Sequence, residues 1–501
     1  THKGGNNMKK LFLYIVVFMG ILLFFSCTKY ALMTGPVDSE SKALSQASKV
    51  ADTIKSPYTK GAALSEIAGV YAKSGKYDQA VEVAKTIEDA NIRAFSLGDI
   101  STNANKNGEK DKALNILNQA FLAANKIKNP HLRAHTLCLT AHKYLYMDQK
   151  DRAEELLSQA FEVTETIDDA HVKAYNLTTI GEEYAKAGKK NKAGEMLTKA
   201  FQVASSIEDV HTKITVLDKI ASVLAEDGQF DKASKITKDI DDIYTKAAAP
   251  DRIADVYFAD GDLGKAVNTA RTIKSQYTET FALARIAKQA WEKGKKDKAL
   301  DILSHAFKSA TAEEDAYAKG VALARVARGY AETAQYVRAL QIAGSIKNAY
   351  TKAFSLENIA DLYAQAGRYG KAIEISKGIE DAFYKSSALN EIAVSYTKGG
   401  QKKKAADILS KALDIAGTIE DVHTKARVLS GIAGGYGGAG KYDKAITVAK
   451  SIEDAFFRDT AFYRITNWCV KAGKSAESIR VAEMIEDPYY KTSALTRIAG
   501  M

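Results

Sequence analysis

Eight histidines and three cysteines are the side chains of this sequence with the widest chemical repertoire. His131, His171, His211 and His423 fall at one position of a repeat, and a row of imidazoles is a candidate for metal ligation. Other repeats carry Tyr58, Tyr244, Tyr277, Tyr317, Tyr350 or Phe383 there, and a position that accepts phenylalanine is a packing position. Histidines on neighbouring stacked repeats would also stand about 10 Å apart, too far to share a metal at ~2.1 Å per bond. No metal is expected. Cys138 and Cys469 are nine repeats apart, on the order of 90 Å in an open stack, whereas a disulfide needs Cα atoms within ~7 Å. Three cysteines also exclude a disulfide framework and a four-thiolate zinc site. Cys469 stands where most repeats have a core tyrosine and reads as a buried thiol. No Ser-His-Asp order, HExxH motif, phosphate-binding loop or paired-carboxylate motif stands out. The acidic pairs Glu88-Asp89, Asp168-Asp169, Glu208-Asp209, Glu380-Asp381, Glu420-Asp421 and Glu453-Asp454 each close a repeat, where an aspartate caps the next helix and meets its positive dipole end. The chain is read as having no catalytic residues and no cofactor.

The elements that carry these residues follow from composition and period. The 501 residues include only 5 prolines, with 46% hydrophobic and 26% charged residues. So few helix breakers point to a nearly all-helical protein. The motif Gly-Lys-Tyr-Asp-Gln-Ala at Gly75–Ala80 recurs, anchored at Gly75, Gly108, Asp148, Gly188, Gly228, Gly261, Gly294, Ala334, Gly367, Gly400, Gly440 and Gly473. The spacings are 33 or 40 residues only. Seven residues are nearly two helical turns, about 10.5 Å, and an apolar stripe drifts only ~20° over them. One helix can therefore grow by seven and still hand the chain on correctly.

Each unit reads as two helices. The first carries Leu64, Ile67, Ala68 and Tyr71 on one face, repeated as Leu177, Ile180, Gly181, Tyr184 and as Leu389, Ile392, Ala393, Tyr396. The anchor glycine ends it in the left-handed conformation. The second helix carries Ala80, Val81, Ala84 and Ile87, and is the one expected to lengthen in 40-residue units. Pro57, Pro130 and Pro488 follow a cap residue, the favoured first helical position. A hairpin with one apolar face must stack on its neighbours, so twelve units predict an elongated superhelix of roughly 100 Å or more. Gly431, Gly434, Gly435, Gly437 and Gly438 enrich one first helix, which reads as a thin or flexible unit rather than a phosphate loop.

The set Ile67, Ala68, Tyr71, Gly75, Tyr77, Ala80, repeated at Ile432, Ala433, Tyr436, Gly440, Tyr442, Ala445, resembles the tetratricopeptide repeat. The resemblance implies an all-α, right-handed α-solenoid of about twelve helical hairpins over residues 38–501. The chain departs from that family in unit length and in replacing its terminal proline with Ile-Glu-Asp. The family's concave face, lined by first helices, implies a protein or peptide ligand and points to Phe258, Phe281, Lys288, Trp291, Arg328, Glu332 and Phe354 as binding residues, with packing between helices as the competing role. Pro250 should kink its helix beside Phe258. The chain stops within a first helix, at Leu495, Ile498 and Ala499, with no polar capping helix. That reads as a truncated reading frame or an end that docks on a partner.

At the other end, Lys9 and Lys10 precede an apolar run from Leu11 to Phe25, then Ser26 and Cys27. Fifteen apolar residues are short for a membrane span, which takes about 20, and fit an export signal. The cysteine after a small residue resembles a bacterial lipoprotein signal, which implies acylation of Cys27. Simple cleavage and an uncleaved anchor are the alternatives. Residues 1–7 read as an upstream translation artefact, 8–26 as the signal and 27–37 as a linker. Losing residues 1–26 removes three lysines and no acid from a net charge of +10. The charges are interspersed along the chain, which reads as an ordinary soluble surface with no nucleic-acid partner. The expectation is a non-enzymatic binding scaffold, lipid-anchored at the bacterial cell envelope, in the outer membrane, periplasm or cell surface. An adaptor of an envelope secretion or assembly machine, or the repeat region of a glycan-processing or sensor enzyme, are the alternatives.

Overall fold

The structure, a computed structural model, describes residues 37–229 and 261–500, with positions 232, 233, 235, 236, 254, 257 and 258 between them. Cys27, Tyr244 and Pro250 lie outside the described residues, as do the side chains at 37–41, 210, 211 and 214. Every regular element described is an α-helix. In chain order these are α1 (Val37–Asp52), α2 (Pro57–Lys73), α3 (Tyr77–Lys85), α4 (Ala90–Lys106), α5 (Lys110–Ala124), α6 (Pro130–Tyr146), α7 (Lys150–Glu165), α8 (Ala170–Lys186), α9 (Lys190–Ser205), α10 (Val210–Glu226), α11 (Leu263–Ala270) and α12 (Gln276–Glu292). They continue as α13 (Lys296–Ala312), α14 (Ala316–Glu332), α15 (Tyr336–Ser345), α16 (Ala349–Gln365), α17 (Tyr369–Lys377), α18 (Ala382–Lys398), α19 (Lys402–Gly417), α20 (Val422–Gly438), α21 (Tyr442–Lys450), α22 (Ala455–Lys471), α23 (Ser475–Ala482) and α24 (Pro488–Ala499). Among them no helix is long and apolar enough to cross a membrane.

Local chemistry sets the boundaries. The side chains of Asp89, Asp169, Asp209, Asp381, Asp421, Asp454 and Asp487 each accept from a backbone N–H three residues on, and Ser56, Asn129, Ser275, Asp315 and Asn348 do the same. All twelve anchor positions have positive φ, from 59° at Asp148 and 60° at Ala334 to 88° at Gly261. Glycine adopts that conformation without strain, and Asp148 and Ala334 adopt it against their Cβ. First helices up to α22 are 17 residues long, as in α2 and α14, and α24 is 12, whereas second helices are either short, such as the 9 residues of α3 and α17, or long, such as the 16 of α7 and α19. The seven-residue growth therefore sits in the second helix.

Buried Leu, Ile and Ala side chains from all the hairpins form one continuous core. Among the described residues, first helices pack on their second helices and on the first helices before and after them, while second helices make no comparable contact with one another. Close contact on one side and spread on the other curves the stack, with first helices inside.

The chain's two ends meet. α24 packs on α1 as a first helix packs on its second helix, and it also packs on α2 as neighbouring first helices do. Ala43, Leu44, Ala47 and Ala51 of α1 and Ala494, Leu495, Ile498 and Ala499 of α24 are buried. The elongated superhelix expected from the repeat count is thus corrected to an array whose ends meet, with a further hairpin formed by α24 and α1. The terminal first helix docks on the chain's own beginning.

Candidate functional site

Six of the seven proposed surface residues lie at the ends or on the inner side of first helices, and they differ in what they can do. Phe258 is buried, at 5% exposure, with the Lys293 ammonium 4.3 Å from its ring. Its assignment to a binding surface is corrected: it packs between hairpins. Trp291 and Phe281 are half-buried. Lys296 sits 5.3 Å from Trp291, and Phe281 lies between Tyr277, with ring centres 4.8 Å apart, and the Arg325 guanidinium at 5.9 Å. Phe354 is exposed, edge-on to Tyr384 at 6.1 Å.

Lys288, Arg328 and Glu332 come together from α12 and α14. Glu332 Oε1 accepts from Arg328 Nε at 3.0 Å and lies 3.5 Å from Lys288 Nζ. Arg328 Nη1 also donates to Asn358 Oδ1 of α16 at 3.0 Å, and Asn358 Nδ2 donates to the Phe354 carbonyl at 2.8 Å. The Glu332 side chain is only 8% exposed, and its Oε2 is buried without a hydrogen-bond partner. With Asn358 these residues form a clasp across the three successive first helices α12, α14 and α16 that leaves one acceptor unfilled.

Two further polar clusters on the same face were not foreseen. On α16 and α18, burial pushes the Glu357 carboxyl up to about 7, with the charges of Glu391 and Asp361 adding to the rise and a Ser387 hydrogen bond opposing it. Burial raises Glu391 as well. On α6, α8 and α10, His142 Nδ1 is 2.9 Å from Glu183 Oε2, and Lys219 donates to Thr179 at 3.1 Å with its ammonium 3.8 Å from the Tyr175 ring. Burial opposes ionisation of Glu183, yet hydrogen bonds from His142 and Lys186 hold its carboxyl below the usual range. The signal lay in the alignment: nine residues before the anchor stand Glu66, Asp99, Lys219, Arg285, Arg325, Glu391 and Arg464, while Leu139, Thr179, Asn358 and Gly431 stand there in other repeats, so stacking sets charge beside charge in part of the array.

The histidines serve packing and pairing. His131 Nδ1 is 3.0 Å from Asn176 Oδ1, and His423 is edge-on to Phe457 at 4.9 Å. Burial lowers His135 to about 4. Cys138 and Cys469 are free and buried, and burial pushes the Cys469 thiol up to about 11. No group of three or more His, Cys, Asp or Glu side chains among the described residues is arranged to hold a metal. The glycines of α20 make room for its neighbours: Gly434, Gly437 and Gly438 seat α22, and Gly435 lies against Leu409 of α19 and Asn390 of α18. A Cβ built at Gly438 would stand 3.0 Å from Trp468 Cε2, and one at Gly434 would stand 3.3 Å from Arg464 Cδ.

No family model matches the chain, and no curated protein matches it. Among solved structures it is similar to Ton1535 from Thermococcus onnurineus NA1, at 20% identity over 65% of this chain and 97% of that one, with a TM-score of 0.34. It is also similar to a putative kinesin light chain with nearly identical TPR-like repeats from Podosopora anserina, at 17% identity over 41% and 99%, TM-score 0.26. A human IFIT1 dimer with PPP-AAAA is similar at 15% identity over 82% and 93%, TM-score 0.27. At these scores the likeness adds nothing to the architecture already described.

Proposed function

We propose that the chain is a non-enzymatic interaction scaffold, tethered at the bacterial envelope by a lipid on Cys27, that captures a peptide or protein segment along the inner face of its first helices. The Lys288–Glu332–Arg328 clasp carries the reading. A buried acceptor without a donor costs about 1–3 kcal/mol. A ligand N–H or O–H reaching Glu332 Oε2 would relieve that cost, and the exposed ring of Phe354, linked to the clasp through Asn358, offers apolar contact.

Site-specific photo-crosslinking in the native envelope tests it. A crosslinker at Phe354 should trap one discrete partner, a crosslinker at the outward Lys411 should not, and Arg328→Ala should cut the yield several-fold. Equal trapping at both positions, or a yield indifferent to Arg328, would remove the inner face as the binding surface. Labelling with a palmitate analogue, lost in Cys27→Ala, tests the anchor separately.

A further inference from the structure

Lysines that are scattered in the sequence are gathered by the fold. The turns between first and second helices all lie at one end of the hairpins. Ten of them are described in full, all but those at Gly228 and Gly261. From two residues before each of these ten anchors to five after it, the chain holds 26 Lys or Arg against 10 Asp or Glu. That excess is larger than the +10 of the whole chain, so the rest of the molecule is on balance acidic. The densest turns contribute Lys186, Lys189, Lys190 and Lys192; Lys293, Lys295, Lys296 and Lys298; and Lys398, Lys402, Lys403 and Lys404, all of them exposed.

Lys186 pairs with Glu182 and Glu183, and Lys189 and Lys192 pair with Glu154, but helix stability does not explain the placement of the others. Lys190, Lys296 and Lys298, and Lys402, Lys403 and Lys404 sit in the first turns of α9, α13 and α19, at the positive end of the helix dipole, where a cation weakens the helix. Among the described residues no acid lies within ion-pair range of Lys402, Lys403 or Lys404. The opposite rim carries the capping aspartates and their glutamate neighbours.

The chain's own tether emerges on the basic rim. α1 ends at Asp52 and turns into α2 at the capped rim. Its 16 residues span about 24 Å, which returns Val37 to the glycine rim. Ten residues separate Val37 from Cys27, a reach of at most ~36 Å.

We infer that the rim of glycine-anchored turns is a docking surface for anionic lipid headgroups, and that it seats the array on the membrane with its capped rim facing away. The inference rests on the proposed Cys27 tether for the nearness of the bilayer, and on the rim's charge for the attraction. Nucleic acid offers the same phosphates, but a rim of turns on the tethered side meets a flat bilayer first.

Vesicle co-sedimentation of the full chain tests the inference. Binding is compared between pure phosphatidylcholine and phosphatidylcholine with 30% phosphatidylglycerol. The anionic vesicles should be favoured by on the order of tenfold or more, and 0.5 M salt should remove that preference. Replacing Lys295, Lys296, Lys298, Lys402, Lys403 and Lys404 with Gln should bring the ratio close to one, while Lys352→Gln with Lys425→Gln on the capped rim should leave it unchanged. Circular dichroism of each variant confirms the fold. In acylated protein, Cys27→Ala should lower binding to both vesicle types without moving the ratio, so a failed tether and a failed rim read differently. A ratio near one for the unaltered chain, a ratio that survives the six substitutions, or displacement of the vesicles by duplex RNA at equal phosphate concentration would overturn it.

Discussion

The hydroxyl of Tyr489 donates to Glu66 Oε1 at 3.1 Å, although the two residues are 423 positions apart in the chain. The bond crosses the seam where α24 meets α2, and it joins the last first helix to the first. Glu66 is half-buried there, and desolvation raises its carboxyl despite hydrogen bonds from Ser493 and Tyr489. Closure changes the energetics of the array. An open stack frays from its terminal units, whereas a closed one has no terminal hairpin, because each end covers the other's apolar face.

The seam should therefore behave as core. Leu44 of α1 is 1% exposed, and Leu44→Ala should cost about 2–5 kcal/mol. Urea denaturation should show an earlier transition, and solution scattering should show a larger radius of gyration as the seam opens. An exposed neighbour, Ser45→Ala, should leave both unchanged within about 0.5 kcal/mol.

The half-buried carboxylate at Glu357 predicts a pH dependence. Its folded value of about 7 lies above the ordinary 4.5, so the native state binds more protons than the unfolded chain between those values, and stability falls as pH rises through that window. Glu391, Asp361, Ser387 and Arg427 are the groups that tune it. Glu357→Gln should flatten the slope and raise stability at pH 8 by on the order of 2 kcal/mol. The melting temperature recorded from pH 4.5 to 8 checks this.

Two anchors hold a left-handed conformation without glycine. Ala334, at φ 60°, has no side-chain group to offset the strain, and Ala334→Gly should stabilise by about 1 kcal/mol. Asp148→Gly should gain less, because aspartate tolerates this conformation through local hydrogen bonding. Urea midpoints at constant slope would show the difference.

The seat for Trp468 gives a paired prediction. Gly438→Ala would place a methyl 3.0 Å from Trp468 Cε2 and 3.1 Å from Cζ2, and overpacking of this kind costs about 1–3 kcal/mol. Trp468→Leu removes those ring atoms and should recover most of the loss in the double variant. Additive losses would mean that the glycine serves some other purpose.

Much of this architecture is legible in the residues. The anchors, including Asp148 and Ala334, mark every turn because only a few residue types tolerate positive φ, and the capping side chains mark every first helix. Closure was not read, although a signal exists. Leu44, Ala47, Ala51 and Ile54 repeat the spacing of Leu117, Ala120, Ala124 and Ile127, so α1 carries the pattern of a long second helix, and Leu495, Ile498 and Ala499 give α24 that of a first helix. The binding face was less legible for a physical reason. Position within a repeat places a residue on the inner side, but whether Phe258 packs or Phe354 is exposed depends on the neighbouring hairpin's side chains, and the clasp on Glu332 depends on Lys288 one unit before it and on Asn358 one unit after it. The basic rim escaped notice because interspersed charges acquire a pattern only when the hairpins align their turns.

Electron–electron distance measurement tests the closed array most directly. Spin labels at Ser45→Cys on α1 and Lys491→Cys on α24, in the chain with Cys27→Ala and with buried Cys138 and Cys469 unlabelled, report the separation of the two ends. The closed array predicts one narrow population in which helices at contact distance of about 8–10 Å hold the labels within roughly 30 Å once linker arms are included. A broad distribution, or a separation approaching the roughly 100 Å of an open stack of twelve hairpins, would contradict it.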